Sequence, residues 1–165
     1  MALGGTSMLF IIGFVLASAG LILHIIGTAT NEWAVSLTGS FGLWKVCVGD
    51  ICVKYDQRQI PAKYEACQAF ALIGVIAAGL GVLLGLLQII FAVLGKNAHR
   101  LFPFLNWSAC LTAGVAIFIC IVVWGATIQD DVKNVYDVGY SYILCIVADA
   151  LIPAGGFLMH AGKKS

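Results

Sequence analysis

The chain has 165 residues, of which 61% are hydrophobic and 10% charged, with a formal net charge of +1. A soluble domain averages roughly 45–50% apolar and about 25% charged residues, so this composition suits lipid rather than water. Having neither a cationic face nor a run of charge, the chain is read as no nucleic-acid binder and no acidic tail protein, and its length allows one domain, residues 1–165.

The charges fall in islands: eight from Glu32 to Glu65, two at Lys96 and Arg100, four from Asp130 to Asp137, and two at Lys163 and Lys164. Between them run four apolar stretches, free of charge except for Asp149, and about 18 or more such residues in a row read as a membrane span. The expected fold is an all-α transmembrane four-helix bundle with a small extracellular antiparallel β-sheet. Its spans are placed at 8–29, 66–95, 104–128 and 141–162, with outer loops at 30–65 and 129–140 and an inner loop at 96–103.

The first span is read as a retained helix rather than a cleaved signal. A signal peptide has a basic n-region and an apolar core of about 7–15 residues, whereas Met1 to Ser7 carry no charge and the apolar run continues to Ala29.

The first outer loop reads as sheet. Trp33, Val35 and Leu37 alternate with Ala34, Ser36 and Thr38; a strand from Phe41 to Val46 follows, and another from Ile51 to Gln57. In the last strand Val53 and Tyr55 are expected on one face and Lys54, Asp56 and Arg58 on the other, as candidates for contact with a partner or for lining a pore, together with Asp137 of the second outer loop. A two-residue Gly49-Asp50 turn places Val48 opposite Ile51 and Cys47 opposite Cys52. Cα atoms of such a non-hydrogen-bonded pair lie about 4.5 Å apart, within the disulfide range, which favours a bridge over two reduced strand cysteines. So small a sheet needs support from that bridge and from the membrane platform.

The second span, the longest, is expected to project outward beneath the first loop. Its Ala77, Gly81 and Gly85, with Gly74 and Ala78 beside them, form a small-residue line suited to close helix packing, as do Ala109 with Ala113 and Ala148 with Gly155 and Gly156. A seam within the bundle is favoured over a contact between subunits. Pro103 is expected to start the third helix, and the Asn106-Trp107-Ser108 sequon to go unused at the cytosolic end of that span. In the fourth span Pro153 predicts a kink near Gly155. Asp149, about 12 Å below the outer end, is an intramembrane carboxylate and so marks a functional site by default. It is expected neutral and hydrogen-bonded inside the bundle, with His24 and, less well placed, Gln88 as partners.

Orientation rests on cysteine, because the balance of Lys and Arg across the loops is nearly even. A disulfide persists only in an oxidising compartment, so the first loop is placed outside the plasma membrane and both termini in the cytosol.

Trp33, Gly42-Leu43-Trp44, Cys47 and Cys52 stand in an order that resembles the signature of the claudin superfamily. Gly13-Phe14 and Gly20, Gln68-Ala69, Ala113-Gly114 with Trp124, Tyr136-Asp137-Val138-Gly139 with Ser141-Tyr142, and Gly155-Gly156 extend the resemblance over nearly the whole chain. It implies a left-handed four-helix bundle, with Trp33, Gly42, Leu43 and Trp44 anchoring the sheet at the bilayer surface and Cys47 with Cys52 stapling it. It also implies adhesive or barrier roles at cell-cell contacts. The interval between the two cysteines is shorter than in typical claudins, Phe70 stands where they usually carry Arg, and the Gly162-Lys163-Lys164-Ser165 ending lacks the Tyr-Val motif that binds junctional scaffolds. Relatives such as peripheral myelin protein, the lens tetraspan and the gamma subunits of calcium channels therefore remain in view.

The functional expectation is a non-enzymatic, cofactor-free, metal-free protein of cell-cell junctions in the plasma membrane. It would contribute to adhesion or an ion-selective barrier through its first outer loop, as a homo-oligomer or with related tetraspans in cis and trans. The alternative is an accessory subunit modulating a channel or receptor in the same membrane. A thiol oxidoreductase built on Cys47, Cys52 and Cys67 is disfavoured, since no Cys-x-x-Cys occurs.

Overall fold

A computed structural model describes residues 7–56, 60–95 and 101–162. Four helices are long and apolar enough to cross a membrane, and a five-stranded sheet sits at one end of the bundle, opposite the chain termini.

Helix α1 (Met8–Ala29) is capped by Ser7, whose hydroxyl oxygen accepts from the Phe10 backbone N–H at 3.2 Å. The same hydroxyl donates to the Gly162 carbonyl, tying the start of the chain to the end of the last helix. Phe10, Gly13, Ala17, Gly20, His24 and Gly27 are buried, at the three- and four-residue spacing of a heptad seam. That seam faces α4 (Tyr140–Ala161). A Cβ on Gly13 would lie 2.6 Å from the Gly155 carbonyl oxygen, and one on Gly155 would lie 2.6 Å from the Ala17 nitrogen. The two backbones touch there, and any side chain would wedge them apart. The helix continues through Pro153, which has no N–H to donate to the Asp149 carbonyl.

Helix α2 (Ala62–Val93) begins four residues before the expected start, because Lys63 and Glu65 bound the apolar run without bounding the helix. Pro61 presets the first turn, and its carbonyl accepts from Tyr64 N at 2.9 Å. Helix α3 (Phe102–Val123) carries Pro103 in its first turn, as expected. It runs on through a π-helical turn (Trp124–Gln129) and a last α turn (Asp130–Val132), so that 31 residues form one rod of about 46 Å. The third span therefore projects like the second, and the second connection shrinks to the residues between Val132 and Tyr140. An ion pair from Lys63 to Asp131 joins the two projecting ends. Most of the expected inner loop lies outside the described residues.

Around the bundle α1 packs on α2 and α4, and α3 on α2 and α4. The small-residue line of α2 is buried: Gly81 faces Cys110 of α3 and Gly85 faces Met159 of α4 and Asn106 of α3. The line is thus a seam inside one chain. Asn106 is buried against Met159 and Cys110, so the sequon has no room for a glycan.

The sheet has the order β4-β3-β2-β1-β5, all antiparallel: β1 (Ala34–Val35), β2 (Gly39–Phe41), β3 (Lys45–Val48), β4 (Ile51–Lys54) and β5 (Asp137–Val138). The hairpin register is the expected one, with Cys47 opposite Cys52 and Val48 opposite Ile51. Gly49 at φ +57° is the only one of its two turn residues with positive φ, as in a type II′ turn.

Three expectations for this loop need correction. The Trp33–Thr38 alternation yields only a two-residue strand: Trp33 and Ala34 are both buried, because Trp33 turns into the bundle, and Leu37 stands fully exposed at the β1–β2 tip. The expected Phe41–Val46 strand breaks at Gly42-Leu43-Trp44, which plunges toward the helices between β2 and β3. All four residues of β4 are exposed, Val53 included, since β4 is an edge strand with nothing among the described residues packed over either face.

An anchored sheet and an intramembrane groove as candidate functional sites

The last carbonyls of a helix have no partner within it. At the end of α1 they are taken in turn by the residues that follow. The Ile26 carbonyl accepts from Thr30 N at 2.9 Å and from the Thr30 hydroxyl at 2.7 Å. Gly27 O accepts from the Trp33 indole N–H at 2.8 Å, and Thr28 O from the Trp44 indole N–H at 2.8 Å. The two tryptophans therefore do more than sit at an interface: each supplies a donor to a carbonyl that the helix end leaves free, Trp33 from a fully buried ring.

The Gly-Leu-Trp segment completes this clamp. Leu43 is fully buried and its carbonyl accepts from the Gln68 side-chain amide of α2 at 2.7 Å. Gly42 passes so close to Asn31 that a Cβ would lie 2.4 Å from the Asn31 Oδ1, while its carbonyl accepts from the Tyr55 hydroxyl at 3.1 Å. Burial pushes the Tyr55 hydroxyl above its usual range. Asn31 donates to the Ser40 hydroxyl at 3.1 Å and reaches Cys47 Sγ at 3.3 Å. The Cys47–Cys52 disulfide closes β3 onto β4 with Cα atoms 4.0 Å apart.

Beneath the sheet lies a chain of rings. Tyr55 meets Tyr64 at 5.3 Å, Tyr64 meets Trp124 at 6.0 Å, Trp124 meets Trp33 at 4.9 Å, and Trp33 meets Tyr142 at 5.8 Å. Tilted and edge-on contacts of this kind are favourable beyond their burial. Trp124 opens the π-helical turn of α3, and the Tyr142 hydroxyl donates to the Ile121 carbonyl just before it. The turn places Trp124 under Trp33. Asn31, Tyr55 and Tyr64 carry no short-range signal that would have joined them to the motif, because their partners are distant in sequence.

On the sheet surface the candidate charges are spread apart. Lys54 ends β4, paired across from Lys45, and exposed Asp56 follows it. Asp137 is exposed on β5, at the other edge of the sheet, roughly 19 Å away by strand spacing. Arg58 lies outside the described residues. The two hairpin tips, by contrast, are brought together: Gly49 N donates to the Thr38 carbonyl at 2.8 Å. Leu37, Val48 and Ile51 are exposed around them, beside a hollow of about 440 Å3 lined by Glu32, Val35, Ser36 and Asp50.

Within the membrane-spanning part, His24 and Asp149 do not meet. His24 is fully buried on the α2 side, its Nε2 at 3.1 Å from the Ala71 carbonyl. Gln88 donates to the Leu84 carbonyl of its own helix at 3.3 Å. The buried stripe of α4 (Ser141, Cys145, Ala148, Ile152, Gly155, Met159) passes beside Asp149 rather than through it. Its half-buried carboxylate therefore opens on a groove of about 260 Å3 between α3 and α4, walled by Leu111, Gly114, Val115, Phe118 and Pro153. Cys67, placed by the sequence near the disulfide, is instead buried in the bundle with its thiol 3.6 Å from the Cys120 carbonyl. Among the described residues no three His, Cys, Asp or Glu side chains are arranged to hold a metal ion.

No match was found among curated proteins. The family model for the PMP-22/EMP/MP20/Claudin family matches residues 6–159, spanning all four helices and the sheet. The chain is a multi-pass membrane protein that belongs to the PMP-22/EMP/MP20/Claudin family.

Proposed function

We propose that this chain is a non-catalytic contact protein of the plasma membrane. Its sheet stands outside the cell, both termini lie in the cytosol, and the hairpin tips meet a protein of the neighbouring cell. The observation that carries this reading is the pairing of a rigid base with an apolar tip. The Cys47–Cys52 bridge and the Trp33 and Trp44 caps hold the sheet, and Leu37, Val48 and Ile51 stand exposed at the end farthest from those caps. A disulfide of this kind persists only in an oxidising space, and a cluster of exposed apolar side chains on an ordered surface marks an interaction site.

The partner in trans is a second copy or a related tetraspan, and copies also associate in cis within one membrane. Lys54 and Asp56, with Arg58 beyond them, and Asp137 at the opposite edge are the charges that would set ion selectivity if adjoining copies enclose a path between cells. Expression in non-adherent cells tests the reading. The protein should concentrate at cell-cell borders, and Leu37→Asp should abolish that enrichment while leaving surface expression intact. Uniform distribution of the unmodified protein would overturn it.

The second reading, an accessory subunit of a channel or receptor in the same membrane, draws support from the groove at Asp149. A carboxyl opening out of the bundle lies away from the sheet and faces molecules in the same membrane.

A further inference from the structure

Asp149 is the tenth of the 22 residues of α4, about 13 Å from one end of the helix and about 18 Å from the other. Both distances put it within the apolar part of a span whose hydrocarbon core is about 30 Å thick. No hydrogen bond or ion pair to Asp149 occurs among the described residues, and the groove walls are apolar. Carboxylates in such positions are costly and are kept where they face a partner.

The structure also shows where the missing partner group does not come from. His24, the histidine closest to it in depth, is engaged with the Ala71 carbonyl, and Gln88 lies about three turns further along the bundle, bonded within its own helix. A second copy offers no cation either, because no span of this chain carries Lys or Arg beyond its first turn. The groove, of about 260 Å3, has room for a long side chain beside the Asp149 carboxyl. Its rim residues Leu111, Val115 and Phe118 are exposed along one face of α3, and Gly114 and Pro153 form a low floor between the helices.

We propose that the α3–α4 groove docks a transmembrane helix of a different protein, which inserts a Lys or Arg side chain at mid-membrane to pair with Asp149. This deepens the accessory-subunit reading by naming the chemistry of the partner. It is independent of the sheet: loss of border enrichment leaves it standing, and so does failure of this chain to alter any channel current.

The probe is a single-span Leu-Ala helix of about 20 residues with one central Lys, set against the same helix with Leu there. Each is co-expressed with the full chain and read by energy transfer in intact membranes. The Lys helix should associate about fivefold more strongly, the lower end of the range for polar contacts between model membrane helices. Asp149→Leu should remove that advantage and Asp149→Glu restore it. A cysteine in the Lys helix should cross-link to Val115→Cys on α3 and not to Ile76→Cys on the exposed face of α2. Equal association of both helices with the unmodified chain overturns the proposal whatever the variants do, as does equal cross-linking at positions 115 and 76.

Discussion

The end of α1 that carries the sheet and the Asp149 groove in the middle of the bundle differ in what meets their polar groups. At the sheet end the carbonyls that α1 leaves free from Ile26 to Thr28 each receive a donor, from Thr30, Trp33 and Trp44, and the loop between those donors is thereby fastened to the helices. In the middle, Asp149 opens on the α3–α4 groove with no hydrogen-bond or ion-pair partner among the described residues. The first region uses these donors to hold its own shape. The second keeps one in reserve, which is the arrangement expected of a site for another molecule.

The contrast can be broken or sharpened by substitution, beginning with the greatest expected loss. Trp33→Ala removes a fully buried indole, its hydrogen bond to Gly27 and its stacking on Trp124 and Tyr142. The expected cost is about 3–5 kcal/mol, read as loss of folded protein in detergent and retention inside the cell. Gly155→Val drives a side chain into the α1 backbone and should cost about 1–3 kcal/mol or more, separating α1 from α4. Disulfide trapping between cysteines placed on the two helices would report that separation.

Replacing both Cys47 and Cys52 with Ser should cost about 2 kcal/mol, as a short closed loop implies. The helices should stay assembled while border enrichment falls. Trp44→Phe keeps one aromatic ring and loses the donor to Thr28 with the pyrrole half of the indole, at about 1–2 kcal/mol. Smallest of all, Asp149→Leu should leave thermal stability in detergent unchanged or slightly raised, since no hydrogen bond or ion pair among the described residues is lost. A large destabilisation there would mean that Asp149 supports the bundle after all, and the contrast would vanish.

Much of this fold was legible in the sequence because charge is excluded from lipid, so the four spans stood out as gaps between islands of charge. Their ends did not. Lys63 and Glu65 belong to the first turn of α2, and Asp130 and Asp131 to the last turn of α3, because a helix continues into water at little cost once its apolar part is anchored. The Cys47–Cys52 hairpin was legible because a Gly-led two-residue turn sets its register locally. Strand β5 was missed. Two residues carry no period, and their pairing with Ala34 and Val35 depends on a chain segment about a hundred residues distant.

The motif residues were found by resemblance, yet their work as donors to the end of α1 depends on three-dimensional approach. Asn31, Tyr55, Tyr64 and Gln68, which complete the clamp, illustrate the same limit. The expected His24–Asp149 pair failed for a reason that spacing does contain. His24 falls on the heptad seam of α1 with Gly20 and Gly27, whereas Asp149 stands one position off the stripe of Cys145, Ala148 and Ile152. Depth alone suggested a meeting that helix rotation forbids.

The account depends most on which side of the membrane holds the stapled hairpin. Intact cells treated with a membrane-impermeant reductant and then an impermeant maleimide should yield chains labelled at Cys47 and Cys52 only after reduction. Buried Cys67, Cys110, Cys120 and Cys145 should stay unlabelled. Labelling of Cys47 and Cys52 without reductant, and only once the membrane is permeabilised, would contradict both the orientation and the contact role.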